Sequence, residues 1–374
     1  MKALVYTVRV IVGVLFIFSG LVKAIDPMGL SYKMQEFFDL WGLSAFNGAT
    51  LWLSILMNAF EIFAGAALLL GWKSKLINWL LLLLIVFFTF LTGYAYLSGK
   101  FKSCGCFGDC IPITSGVSFL KDIVLLVLIL FLFFNSKYIK PALSKSITNI
   151  VLVLIAVFTF ALQWYVLNYL PIVDCLPYKV GSNIPEKMQM PANAVPDSTV
   201  ISFVYKKDGE NVSFTADSFP EDFNDSTYTF IKREDKVIRA GKNNIPEIRS
   251  FSFRDKSGSD LTQQILGAPE TLILFVEDMS RSVNQWQKGF EKIYQTAKSK
   301  NIPVYLITST RSATEAAIAN SQFKDIIVLD GDRVTIRAAA RVIPTLFQLE
   351  HGTVKGKWSF RNFKTANDRI EKMH

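Results

Sequence analysis

Hydrophobic and polar residues are segregated along this 374-residue chain rather than mixed. Up to Cys175 long apolar runs with hardly a charge inside them alternate with short polar segments, and beyond it the pattern is that of an ordinary mixed domain. A helix needs about 20 apolar residues to cross a bilayer core. Five runs reach that length, over 3–24, 49–71, 76–97, 117–135 and 147–170, and each predicts a transmembrane helix. The first, preceded by Lys2, has the outline of a secretion signal. Arg9 interrupts its core and no small-x-small cleavage site follows, which predicts a retained helix.

Residues 171–185 hold three prolines and a glycine, and read as an exit strap where the membrane part ends. Alternation over 200–205 and 211–215, around Lys206-Lys207-Asp208-Gly209, predicts a hairpin, and 228–239 a second short pair. From 245 onward strands and helices alternate. Thr271 to Val276 is a buried-strand run, 283–299 a helix, 302–308 a strand, 311–322 a helix and 326–329 a strand. A strand around Pro344, a His351-Gly352 turn, a returning strand at 353–360 and a last helix close the unit. The expected organisation is a helical membrane bundle over 1–175, a linker with a small β-rich insert over 176–244, and an α/β domain over 245–374.

Composition agrees with this division: 51% of residues are hydrophobic, 31 are Phe, and mean hydropathy is positive at +0.32. The net charge of +9 is spread, with 12 basic against 7 acidic residues before position 176 and 28 against 24 after it, so no basic patch supports nucleic-acid binding. Basic residues in short loops orient membrane helices. Lys2, Lys73, Lys75, Lys137, Lys140 and Lys145 fall on one side without an acidic residue among them, while Lys23, Asp26, Lys33, Glu36 and Asp39 mix signs on the other. The expected topology is an inner-membrane, multi-pass chain with its N-terminus inside. An odd number of crossings then puts the C-terminal domain outside, in the periplasm, together with every cysteine.

Three of the four cysteines, Cys104, Cys106 and Cys110, lie within seven residues of the loop between the third and fourth runs, and Cys175 ends the fifth. In an oxidising compartment such thiols persist as disulfides. A Cys-x-Cys pair closes a small strained ring, and strain makes a disulfide reducible, so Cys104 and Cys106 are the candidate exchanging pair. Cys110 and Cys175 are a candidate second pair, resolving or structural, one choice among three connectivities. Lys100 and Lys102 favour a thiolate nearby, and Asp109 opposes it. A four-sulfur zinc site is the weaker reading, because the spacing matches no known zinc motif; no metal is expected.

Two stretches carry resemblances. The opening helix from Arg9 through Ser19-Gly20 to Lys23 and Asp26-Pro27, together with Cys104-Gly-Cys-Phe-Gly108, resembles the DoxX family and the related methylamine-utilisation protein MauE over residues 1 to about 140. The resemblance implies periplasmic thiol chemistry on the MauE side and quinone-linked sulfur oxidation on the DoxX side, which makes a quinone a candidate cofactor. The element order from 245, with Val342-Ile343-Pro344-Thr345 ahead of a strand, resembles the thioredoxin fold and its cis-proline motif. Where that family places Cys-x-x-Cys, this chain reads Glu277-Asp-Met-Ser-Arg-Ser282, and no cysteine exists beyond 175. Thiol exchange needs a thiolate, so this domain is expected to be redox-silent, a surface for a partner or peptide.

Charges at membrane depth form a second constellation, because they usually face a partner or a cavity. Arg9, Asn58, Glu61, Lys121 and Asp122 lie in the apolar runs, and Glu61 is either an ion-pair lock with Arg9 or a proton carrier. Asp26, Lys33 and Glu36 are read as solvated loop charges. His351 and His374 sit at a turn and at the last position, and neither points to a catalytic base. The leading functional reading is thiol–disulfide redox chemistry or maturation of envelope proteins, with the bilayer and an envelope protein as partners. One alternative is a non-enzymatic scaffold that docks envelope proteins, and another a quinone-linked oxidoreductase of the DoxX type. Whether the chain is an enzyme is open on sequence alone.

Overall fold

The computed structural model describes residues 1–374 apart from 102–104, 106, 107, 109, 112, 225, 240, 242 and 374. The chain divides into two compact units, one of Met1–Gly181 with Ser252–His374 and one of Ser182–Phe251.

Six helices build the first part of the larger unit: α1 (Lys2–Ile25), α2 (Pro27–Leu40), α3 (Thr50–Leu70), α4 (Ser74–Ser98), α5 (Ser115–Phe134) and α6 (Lys145–Tyr169). All but α2 are long and apolar enough to cross a membrane. At 1.5 Å per residue the 24 residues of α1 extend roughly 36 Å, more than the ~30 Å hydrocarbon layer. Its buried stripe runs Val5, Val8, Arg9, Val12, Phe16, Gly20, Lys23 at helical spacing. Glycine lets this stripe meet α3 closely. A Cβ on Gly65 would stand 2.8 Å from the Gly13 carbonyl oxygen, so a larger residue would force the helices apart.

Residues 27–40, read from the sequence as a charged loop, are helical. Asp26 caps α2 by accepting from the Gly29 amide at 3.0 Å, and Pro27 suits its first turn because no amide is needed there. The α2 helix lies across the end of the bundle where α1 finishes and α6 exits, hereafter the capped end. The Arg9–Glu61 lock is also overturned. Arg9 instead donates to the carbonyl oxygens of Leu68 at 2.8 Å and Leu69 at 2.5 Å, at the C-terminus of α3, and to Lys140 at 2.9 Å. The Leu68 and Leu69 carbonyls lie in the last turn of α3 at the negative end of its dipole, so the guanidinium adds to the Gly71 amide that already caps Leu68.

The smaller unit opens with α7 (Ile184–Lys187) and carries an antiparallel sheet of β1 (Ser198–Lys207), β2 (Glu210–Thr215) and β3 (Thr229–Arg239), in the order β2-β1-β3. The region 228–239 is therefore one long strand rather than a second hairpin. It pairs along β1 because the aromatic residues Tyr205, Phe214, Phe219, Phe223 and Tyr228 cluster and leave β1 its other edge.

The rest of the larger unit runs β4 (Phe253–Arg254), α8 (Thr262–Gly267), β5 (Thr271–Phe275), α9 (Gln287–Ser299), β6 (Val304–Thr308), α10 (Arg311–Ile318), β7 (Ile327–Gly331), α11 (Arg333–Ala339), β8 (Thr345–Glu350), β9 (Thr353–Ser359) and α12 (Phe363–Glu371). The sheet order is β4-β7-β6-β5-β8-β9, with β5, β6 and β7 parallel and β8 antiparallel to both neighbours. The Ile343–Pro344 peptide is cis and immediately precedes β8. This is a thioredoxin-like fold. Strands β5 and β6 are buried on both faces, which is why they read as unbroken apolar runs. The patterning missed α11, whose Arg333, Arg337 and Arg341 region looks polar in sequence.

That helix is where the domain meets the bundle. Arg341 donates to Asp26 at 2.8 Å and to the Arg337 carbonyl, and the Arg341–Asp26 pair is largely buried. Arg337 bridges Gln35 of α2 and the Glu277 carboxylate, each at 2.9 Å. The Tyr32 ring lies beneath both guanidinium groups, 4.6 Å from that of Arg337 and 5.4 Å from that of Arg341. On the other side Lys357 of β9, 4% exposed, holds Asp174 at 2.7 Å, next in sequence to Cys175.

Three outcomes follow from this seam. Arg341→Ala removes the guanidinium from a largely buried Asp26 contact, costing docking about 3 kcal/mol; limited proteolysis across 171–181 should accelerate, and an unchanged rate would reject the seam. Opening the 65-residue Cys110–Cys175 loop with Cys110→Ser is worth at most ~4 kcal/mol by chain entropy, less where α5 and α6 stay inserted, and should lower the melting temperature of the oxidised protein while leaving that of the fully reduced protein unchanged. Burial raises the Glu277 carboxyl above the usual glutamate range, opposed in part by Arg337. The folded state therefore holds that proton more tightly than the unfolded one, and stability falls as pH rises through the raised value. Thermal melts from acid to neutral pH should show this slope, and Glu277→Gln should flatten it.

Candidate functional site

Of the four cysteines, Cys110 and Cys175 form a disulfide with a Cα–Cα distance of 4.8 Å. It ties the loop between α4 and α5 to the strap leaving α6, so both lie at the capped end beside the thioredoxin-like domain. A bridged sulfur is no thiolate ligand, so the four-sulfur zinc arrangement loses two of its members. Among the described residues no group of His, Cys, Asp and Glu is arranged to hold a metal. Cys104 and Cys106, the candidate exchanging pair, lie outside the described residues, as do Lys102 and Asp109. Gly105 between them is described, and so is Gly108, whose amide donates to the Gly105 carbonyl at 2.9 Å.

Gly105 locates the cysteine loop. Its φ of +68° is left-handed, and a Cβ there would stand 3.1 Å from Cγ of Lys33 on α2. Phe101, at the entry to the loop, stacks on Phe37 of α2 with ring centroids 4.2 Å apart. Phe101 and Gly105 thus rest on α2. Beneath Gly105 lies a cavity of about 210 Å³, bounded by Gly105, Lys33, Phe37, Trp41, Phe88 and Lys23, with further walls from Leu53, Met57 and Phe87. Leu53 and Phe87 are exposed on the outside of the bundle, so the cavity wall reaches the surface between α3 and α4.

At the floor the walls turn polar. Lys23 of α1, 3% exposed, pairs with Glu61 of α3, 1% exposed, and Ser19 donates to the same carboxylate at 3.1 Å. Asp122 of α5 pairs with Lys121 and accepts from Thr92 of α4 at 3.0 Å. The two ion pairs face a second, smaller cavity of about 30 Å³, to which Phe16, Phe88 and Leu125 also contribute. Lys23 and Phe88 line both cavities, the Lys23 ammonium 4.9 Å from the ring centroid.

Lys23 is the residue that sequence reasoning misplaced, having been counted as a loop charge. The signal was available: Val12, Phe16, Ser19 and Lys23 follow one another at steps of three and four, so Lys23 continues the buried stripe of α1. The other first-loop charges have different partners. Asp26 is bound to Arg341, whereas Lys33 pairs with the exposed Glu36 at 2.9 Å.

In the thioredoxin-like domain the segment that replaces Cys-x-x-Cys is held by charge rather than left free. The Glu277 carboxylate contacts Arg337 and Arg333, and its carbonyl accepts from Ser309. Arg281 donates to the Ile343 carbonyl at 2.9 Å, beside the cis peptide. This edge faces α2 and the ends of α3 and α6 across a cleft of about 700 Å³. The surface expected to take a partner is therefore turned toward the chain's own bundle.

Residues 1–135 match the family model described as methylamine utilisation protein MauE, and residues 199–240 match a domain of unknown function (DUF8463). Protein TlpB of Flavobacterium psychrophilum is 31% identical over 132 residues, 34% of this chain. The match spans 36% of that relative, so about a third of its length is shared. A thioredoxin-like protein from Bacteroides caccae of known structure is similar at 18% identity and a TM-score of 0.28, over 33% of this chain and 47% of that one. None of these matches is to DoxX. The chain is a multi-pass membrane protein whose residues 1–135 are a MauE-family domain, joined to a thioredoxin-like domain that lacks cysteine.

Proposed function

We propose that this protein is a membrane thiol–disulfide oxidoreductase that serves thiol proteins of the cell envelope. Its loop pair Cys104 and Cys106 takes electrons from a partner dithiol by exchange and passes them to a lipid-soluble two-electron carrier of the quinone class. The observation that carries this reading is the ligand-sized apolar cavity walled by Gly105 of the cysteine loop and floored by Lys23. A purely structural scaffold has no need of such a space beneath its loop, since packed apolar side chains would stabilise the bundle better.

The step balances as two thiols and one quinone giving one disulfide and one hydroquinone. The S–S bond forms as two S–H bonds break, and two O–H bonds form on the carrier. The aromatic walls, Phe37, Trp41, Phe87 and Phe88, suit a planar ring, and the opening between α3 and α4 lets a lipid tail remain in the bilayer. The Cys110–Cys175 bridge keeps the loop over the cavity and does not itself exchange. TlpB, a curated relative, is similar over only a third of its length, so this function is argued from the site.

The test is alkylation of intact cells with a membrane-impermeant maleimide, before and after a dithiol and then a quinone analogue. Cys104 and Cys106 should become labelled on reduction and protected again by the analogue, with Cys110 and Cys175 protected throughout. If all four stay oxidised, and Cys104→Ser with Cys106→Ser alters only stability, the redox function is wrong. Labelling from the cytoplasmic side alone would reverse the proposed periplasmic orientation.

A further inference from the structure

We propose that Lys23 anchors and protonates the head group of the carrier, and that the Asp122–Lys121 pair reloads it with protons through the small polar cavity. The proposal rests on the carrier reading above and adds to it the route of the protons. Five charged or hydroxyl groups from three helices converge on about 30 Å³ of space inside an apolar bundle: Ser19 and Lys23 of α1, Glu61 of α3, and Lys121 and Asp122 of α5, with Thr92 of a fourth helix, α4, on the Asp122 carboxylate. Charges at such depth are costly and are kept where they face a partner or a cavity. Two locks between neighbouring helices would need no space between them.

The volume holds one water molecule, and its polar walls offer the several hydrogen bonds a buried water needs. Further polar capacity lies close by. Ser118 Oγ, one turn before Asp122, and Asn58 Oδ1, one turn before Glu61, are buried with no hydrogen-bond partner. The two pairs differ in exposure. Lys23 and Glu61 are sealed, whereas the Lys121 side chain is 25% exposed and supplies the outlet.

Only Lys23 among the charged groups lines both cavities, so it alone joins the carrier to this outlet. The carrier gains two electrons from the loop thiolates, and one of its oxygens takes a proton from the Lys23 ammonium. The other oxygen takes a proton from the thiol side, and the remaining thiol proton leaves to water. Lys23 recovers its proton through the cavity water from Lys121 by way of the Asp122 carboxylate, and Lys121 takes one back from water at its exposed side, so the sum stays two thiols and a quinone to a disulfide and a hydroquinone. Glu61 and Ser19 act as positioning residues, keeping the ammonium at the junction.

The experiment uses the full chain in lipid nanodiscs, reduced, freed of reductant and mixed with decylubiquinone. Quinone absorbance gives the rate, and Trp41 quenching, corrected with Trp41→Phe, gives affinity. Lys23→Met should weaken binding about tenfold, the loss of a charged hydrogen bond. Asp122→Asn should leave affinity unchanged but slow reduction by about 100-fold, the weight of a proton-transfer group, and move the pH profile of the rate. Should Asp122→Asn fail to fold, Thr92→Val tests the same carboxylate and should show a smaller loss with the same pH signature. Wild-type rate and pH profile in both variants overturn the relay while leaving the carrier reading intact. A wild type that binds the analogue yet passes no electrons overturns the carrier reading, and the relay with it.

Discussion

The Cys110–Cys175 disulfide is the constraint on which the capped end depends. It joins a loop that follows α4 to a strap that follows α6, two segments no hydrogen-bond ladder connects. Its neighbour in sequence, Asp174, is held by Lys357 of β9, so the same few residues fasten the cysteine loop, the bundle and the thioredoxin-like domain together. Two of the four cysteines are thereby spent on holding position.

Placement of charge inside the bundle follows a second rule, that an ionic group at depth answers an electrostatic need of a neighbouring helix or faces a cavity. Arg9 caps the carbonyl end of α3, where the helix dipole is negative and water is excluded. Lys23 and Glu61 sit instead near the capped end, between a polar and an apolar space. The seam with the soluble domain uses the same chemistry outside the membrane. There Arg341 and Arg337 lie across the Tyr32 ring while each reaches a group on α2 or α1's end, giving planar, directional contacts that a lysine would not provide.

The thioredoxin-like edge has no cysteine after β5 and is held by arginines instead. Glu277 stands after β5 and is engaged by Arg337, which also binds Gln35 of α2, while Arg281 holds the Ile343 carbonyl of the cis-proline segment. This edge faces α2, and the domain lies as a lid on its own membrane part.

The five membrane helices were legible because hydrocarbon demands about 20 apolar residues in a row and admits no irregular backbone. Parity then put the cysteines on one side, and the missing thiol after β5 excluded dithiol chemistry from the C-terminal domain, both from sequence alone. Helix α2 escaped because Lys33, Glu36 and Asp39 made it look like a charged loop, and α11 because Arg333 and Arg337, the latter reaching Gln35 of α2, made it look polar. The partner of Glu61 escaped for a related reason. Arg9 and Lys23 lie on the same stripe of α1, and which of them reaches Glu61 depends on how far α1 and α3 slide past each other, which Gly13 and Gly65 set by backbone contact. Hydrophobic length and cysteine position are properties of the chain itself. Ion pairing, cavities and the docking of the lid are properties of how helices pack, and only the tertiary structure decided them.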